Sequence, residues 1–426
     1  MLENVQISTL CNGLTIVSAS DLRAESVSGG IWIKAGGRYE ALCESGYSHF
    51  LEHMLFKGTD TRTPEDITRA IEGRGGYLNA YTQEENTCYY FRLPCERVAD
   101  GIDVLADMYR NSLLSDQELE REREVILEEI KMYQDLPHHH VQEKMQEAMF
   151  LNHALGRPLA GSEESLRSLD HYTLSSFKDS FYQPGSTVMA FAGRVDHAEC
   201  VDYVQRVMGD ITSGSARDFE PLANEHPHNA LVVDGREITQ VHAVMGFRVF
   251  GRHDKRRYAL RVLNGLLGEN MSSRLFQSVR ERNGLCYSIQ SGFQLFDDCG
   301  IFSISGGFDE HRAYAALELT SGELKKLLAE GVRDDELRQT KEYLQGTFRL
   351  GLESTGSQMN YIAESYLNYN MVRDPREVLV GISAVSIDDV HSLAAEIFHQ
   401  DNLTLAVVAP VRLADDHQRW LSAFCL

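Results

Sequence analysis

The chain has 426 residues, 43% of them hydrophobic and 24% charged, an ordinary globular composition with room for two to four compact units. Acidic residues outnumber basic ones 63 to 41, and the formal charge of −22 disfavours nucleic acid and anionic membrane as partners while suiting basic peptides. No run of about 18 apolar residues occurs, so no segment is expected to span a membrane. The start, Met1 to Val5, carries no basic or Arg-rich leader, and the eight cysteines include no C-x-x-C pair. A cytoplasmic protein with reduced thiols is expected.

The first half alternates strand and helix signals, as an α+β domain does. Strands are predicted over Leu14 to Ser18 and Val27 to Lys34, the second running into Gly36-Gly37. A helix carrying Ser48-His49-Phe50-Leu51-Glu52-His53 follows and stops at Gly58, a suitable glycine just past a helix end. Thr63-Pro64 opens another helix, with a capping hydroxyl and proline at the first helical position, which ends near Gly73. Gly75 to Leu93 reads as a hairpin about the polar turn Gln83 to Asn86. The capping box Ser115 to Glu118 starts a long charged helix through Met132. Pro137 ends it, and His138-His139-His140 are expected in a solvated loop.

Ser213-Gly214-Ser215, Pro221 and Pro227 mark a linker at the midpoint. A similar order then recurs: a strand from Val241 to Phe250, a helix from Asp254 to Leu267, and a hairpin-like region from Tyr287 to Ser305. Two homologous domains are expected, 1–213 and 231–426, joined by a linker at 214–230. Tyr258, Arg261 and Asn264 stand where the first half has its histidines, so only the first half keeps metal chemistry.

His49 and His53 are four residues apart on a helix, share a face and can bind one cation. Glu52 lies beside them, where it can polarise a metal-bound water. The order is H-x-x-E-H, the reverse of the commoner zinc motif. Two histidines do not complete a tetrahedral site; a third ligand, commonly a carboxylate, plus one water would make it catalytic. Glu122 and Glu129, seven apart, point the same way from the long helix, with Glu128 about 100° from Glu129. Periodicity leaves the choice among them open.

These residues resemble the inverzincin zinc peptidases of the pitrilysin, insulin-degrading enzyme and mitochondrial processing peptidase family. The similarity runs from His49–Thr59 through Gly75-Gly76, Asn79-Ala80, Thr82, Glu122 and Glu129-Ile130. It continues at Leu155-Gly156-Arg157-Pro158 and Gly161, and at Arg280 to Ser288. Nearly the whole chain is covered, and short bacterial relatives of the processing-peptidase β subunit are the nearest in form. The resemblance implies two α/β-sandwich domains with mixed or antiparallel sheets, closing as a clamshell. It implies His49, His53 and Glu129 as ligands to one zinc ion per chain, Glu52 as general base and Glu122 as a supporting carboxylate. Gly75, Gly76, Asn79 and Ala80 would fall on the edge strand that pairs with substrate. Arg280 and Tyr287 would reach the substrate and the developing oxyanion, and Phe56 would line a pocket beyond the scissile bond. An extended peptide is the expected substrate. Pairing with itself, as in bacterial short forms, or with a second subunit stays open. A silent structural or peptide-binding subunit is the competing reading, followed by a hydrolase of another bond type. Cys286 has no base apparent beside it and is not expected to act as a nucleophile.

Overall fold

In the computed structural model, residues 2, 4–214, 216–222 and 229–426 are described, so the expected linker lies partly outside the described residues. Strands β1 (Val5–Thr9), β2 (Thr15–Ser20), β3 (Ser26–Ile33), β4 (Tyr77–Thr82), β5 (Thr87–Pro94) and β6 (Thr187–Gly193) form one mixed sheet in the order β1-β2-β6-β3-β5-β4. β2 and β6 run parallel, and the other pairs are antiparallel. Successive side chains on these strands enter different layers. Ile31, Ile33, Met189 and Phe191 join one buried cluster; Trp32, Val188, Ala190 and Ala192 join another on the opposite face. Both faces are covered, so β3 and β6 are buried along nearly their whole length, and β6 reads as a near-continuous apolar run.

Helices α1 (Tyr47–Met54), α2 (Pro64–Ile71), α3 (Val98–Asn111) and α4 (Asp116–Asp135) follow in chain order. α1 to α3 and the first part of α4 supply the first cluster. α2 starts as its sequence directs: Thr63 Oγ1 accepts the Asp66 N–H at 3.2 Å, and Pro64 occupies the first turn. The second cluster is closed from far along the chain, by Met359, Ile362, Ala363 and Leu367 of the Thr355–Tyr369 helix. Ser28 and Thr355 hydroxyls meet at 2.9 Å where that helix begins.

The second sheet orders β7 (Ala230–Arg236), β8 (Gln240–Phe250), β9 (Cys286–Leu295), β10 (Cys299–Asp309) and β11 (Leu403–Pro410) as β7-β11-β8-β10-β9. One face packs on the helices of the second half. The other receives Val141, Met145 and Met149 of α5 (Pro137–Met149), a helix encoded in the first half. Gly246 gives it room, since a Cβ there would lie 2.5 Å from Met145 Sδ.

The chain therefore divides into unit 1, residues 1–130, 157–220 and 348–375, and unit 2, residues 131–156, 221–347 and 376–426. A single cut at 213–231 misses these two exchanged segments, because local periodicity marks an apolar face without naming the sheet that covers it. The expected histidine loop is also corrected. Pro137 opens α5 instead of ending order, since proline at a first helical position forfeits no intrahelical bond. His140 is buried on that helix, with Nε2 2.8 Å from Asp234, which also holds Arg236 at 2.9 Å.

All eight cysteines are free thiols. Among the described residues no single helix is long and apolar enough to cross a membrane.

The exchanged helix gives a stability test. Ile362 is fully buried. Ile362→Ala is expected to lower unfolding free energy by about 2–4 kcal/mol in urea titrations. Amide exchange should quicken in β2, β3 and β6, the strands this helix covers, although the mutation lies in the second half.

Candidate metal centre

α1 buries Tyr47, Phe50, Leu51 and Met54 in the core, which turns His49, Glu52 and His53 to its half-buried side. The two imidazole centroids are 4.8 Å apart, inclined at 69°. Glu129 comes to them from α4: its Oε2 is 3.8 Å from His49 Nε2 and 3.6 Å from His53 Nε2. One donor atom from each residue lies within 4.8 Å of the others, the one trio of this kind among the described residues. Glu128 is exposed and outside the trio, and Glu129 is the acid of α4 that stands with the two histidines.

Two nitrogens and one carboxylate oxygen form a donor set that suits zinc with a coordination position left open. The three side chains keep 15%, 21% and 21% of their surface exposed, so small molecules can reach them. Glu122 stands beside the trio on α4. Its Oε2 is 3.0 Å from His53 Nδ1, and its Oε1 takes the Lys57 ammonium at 2.7 Å. A carboxylate on Nδ1 keeps the proton there and leaves the Nε2 lone pair facing Glu129. His49 Nδ1 is buried with no hydrogen-bond partner. Burial, then His53, holds His49 well below the usual imidazole range, with Glu129 acting in the opposite sense. It is neutral at physiological pH, the form that binds metal.

Glu52 does not join the trio. Its Oε2 accepts the Thr82 hydroxyl at 2.6 Å, from the end of β4. Burial raises its carboxyl above the usual range, opposed by Thr82 and His53 and reinforced by Glu129. A carboxylate tuned upward beside the donor trio suits a proton-transfer role. Thr82 and Lys57 fall within the motif stretches, but the sequence assigned neither of them a role. Lys57 lies in the turn just past the end of α1 and reaches across to Glu122 of α4, a long-range contact that local spacing does not signal.

β4 is the outer strand and, among the described residues, pairs only with β5. Asn79 and Ala80 lie on it as expected, with the Ala80 N–H bonded to Asn79 Oδ1 at 2.9 Å. Gly75 and Gly76 do not: they form the turn before Tyr77. Gly75 takes φ +78°, and a Cβ on Gly76 would come within 2.5 Å of Leu93. Phe56 is half-buried against the core, its ring 6.2 Å from Tyr89.

In unit 2, Arg280 lies 5.3 Å over the Tyr287 ring and 4.6 Å over Phe276. Tyr287 is 84% exposed. Burial pushes the Cys286 thiol up to about 11, which leaves it protonated and inert as a nucleophile at neutral pH. On the helix that corresponds to α1, Glu269 takes Arg261 at 3.0 Å and Asn264 at 2.9 Å, while Ser291 binds Asn264 at 2.8 Å.

Two outcomes test this centre. Glu122→Gln is expected to weaken zinc binding by about 10–100-fold, measured by competition with a chromophoric chelator. The second concerns pH in the metal-free protein. Folded His49 titrates below the unfolded value of about 6.5, so the unfolded chain takes up the proton first. Stability present above about pH 6.5 is then lost as pH falls further. Urea midpoints for His49→Gln should decline less steeply than wild type over that window.

Family models match residues 15–163, described as Insulinase (Peptidase family M16), and residues 168–344, described as Peptidase M16 inactive domain. An uncharacterised zinc protease of Streptomyces coelicolor is 36% identical over 414 residues, 96% of this chain and 90% of its own. The uncharacterised zinc protease YmxG of Bacillus subtilis is 36% identical over 403 residues, covering 94% of this chain and 97% of its own. Among solved structures, a protease from Helicobacter pylori matches with a TM-score of 0.90 at 21% identity, over 96% of this chain and all of that one. A peptidase M16 inactive domain from Pseudomonas fluorescens matches with a TM-score of 0.89 at 17% identity, over 96% of this chain and 98% of that one. These structural likenesses bear on the fold.

Proposed function

We propose that this chain, which belongs to the insulinase-type peptidase family M16, is a zinc-dependent endopeptidase acting on extended or unfolded peptides. One observation carries the reading: His49, His53 and Glu129 bring a donor atom each within 4.8 Å of one another, with Glu52 next to them and outside the trio. A zinc ion held by these three, one per chain, supplies a Lewis acid that acidifies water and polarises the scissile carbonyl.

The remaining work falls to side chains. Glu52 takes the proton of the attacking water and returns it to the leaving amine. Thr82 fixes Glu52 Oε2, which orients the other oxygen for that transfer. Glu122 and Lys57 keep His53 in one tautomer. β4, unpaired on its outer side, offers backbone groups to an extended peptide, and Ala80 exchanges its Asn79 partner for a substrate carbonyl. Backbone pairing of this kind accepts any sequence, so side-chain pockets must supply selectivity. Tyr287, steadied by Arg280, is proposed as hydrogen-bond donor to the oxyanion.

Metal analysis and a quenched peptide library test the proposal. Wild type is expected to bind one zinc and cleave, with a chelator abolishing cleavage. Glu52→Gln should keep the zinc and lose about 10²–10⁴-fold in kcat. A wild type whose cleavage does not depend on Glu52 would support the silent-subunit reading instead. Tyr287→Phe is expected to lower kcat by about 10²-fold at unchanged zinc content. Loss of metal in that variant would contradict the role given to Tyr287.

A further inference from the structure

The residues that hold the metal helix in place lie upstream of it, in a segment the catalytic reading leaves without a role. Glu40 is buried, and each carboxylate oxygen accepts one backbone N–H of the first turn of α1: Oε2 from Gly46 at 2.8 Å and Oε1 from Ser48 at 2.7 Å. Helices ordinarily receive this service from the side chain of their own cap residue. Here the cap residue is Gly46, at φ +90°, and a Cβ on it would come within 2.6 Å of the Ala160 carbonyl. The cap position can hold no capping side chain, so the acceptor is delivered from six residues upstream.

Three further contacts pin that arrangement. Arg157 donates to the Glu40 carbonyl, and Ser165 Oγ donates to the Ser45 carbonyl at 2.7 Å. Gly161, at φ +80°, lets the 157–165 segment approach, because a Cβ on it would stand 2.4 Å from the Ser45 oxygen. The Arg157-Pro158 and Gly161 motif thus backs the segment that carries Glu40. Burial pushes the Glu40 carboxyl up to about 7, against the two N–H bonds and Arg157 that pull it down.

We propose that Glu40 is a positioning residue: by fixing the first turn of α1 from outside, it sets where His49, Glu52 and His53 stand. The inference rests on the zinc reading of those residues. It acts through the helix and touches neither metal nor substrate.

The test compares wild type with the nearly isosteric Glu40→Gln, whose amide accepts from one N–H and turns its own N–H₂ toward the other. Metal-free protein is examined by hydrogen–deuterium exchange and mass spectrometry, and zinc affinity by chelator competition. Exchange over residues 46–54 is expected to rise about tenfold with β7 to β11 unchanged, and zinc to bind about tenfold more weakly. In peptide cleavage, kcat should fall with KM within about twofold, as lost positioning of reacting groups predicts. Wild-type exchange and zinc affinity in Glu40→Gln would overturn the proposal. So would acceleration spread evenly over both units, which marks general destabilisation. Should Glu40→Gln fail to fold, Glu40→Asp keeps the charge with shorter reach and must show raised exchange over 46–54. A wild type that takes no zinc defeats the functional reading, and the exchange comparison alone then decides Glu40.

Discussion

Three donor groups, each well solvated in an unfolded chain, are held at the edge of an apolar core with their lone pairs facing one another. Without a cation this is a destabilising cluster, because desolvation and mutual repulsion have nothing to offset them. The surroundings answer that problem. Burial keeps His49 neutral, Glu122 fixes the proton of His53, and Lys57 balances Glu122. Glu52, the one carboxylate kept out of the trio, is tethered by Thr82 from a different element. α1, α4 and the end of β4 therefore meet at one place: the two helices supply the donor trio, and β4 supplies the hydroxyl that holds Glu52.

Much of this was legible in the sequence, for a physical reason. The i, i+4 spacing of His49 and His53 fixes their geometry through local helix periodicity alone. Glu129 was narrower in scope but undecided, since α4 offers acids on every face and only the packed structure shows Glu128 exposed. Turn chemistry carried Thr63-Pro64 correctly to α2 and misled at Pro137, where the same residue type opened a helix. Gly75 and Gly76 were assigned to the strand because the family motif runs through them. Their conformational demands put them in the turn.

What sequence could not convey is which sheet each apolar helix covers. Met359 and Ile362 announce a buried face, yet nothing near them in the chain indicates that the face belongs to strands more than 150 residues earlier. The same holds for Met145 and Met149 on α5. In unit 2 the comparison of sites is equally telling. Asn264 and Arg261 meet Glu269 and Ser291 in a set of hydrogen bonds, so these polar groups of unit 2 satisfy one another.

The exchange of helices also bears on how the molecule is made. A ribosome releases residues in order, and the half that carries His49, His53 and Glu129 emerges first. Its sheet then waits with Trp32 and Val188 uncovered until Thr355–Tyr369 has been synthesised. Most of the polypeptide must exist before that unit can close its last layer. A nascent chain cut between Glu129 and Thr355 would carry His49, His53 and Glu129 and still be unfinished, so unit 1 completes its fold late in translation.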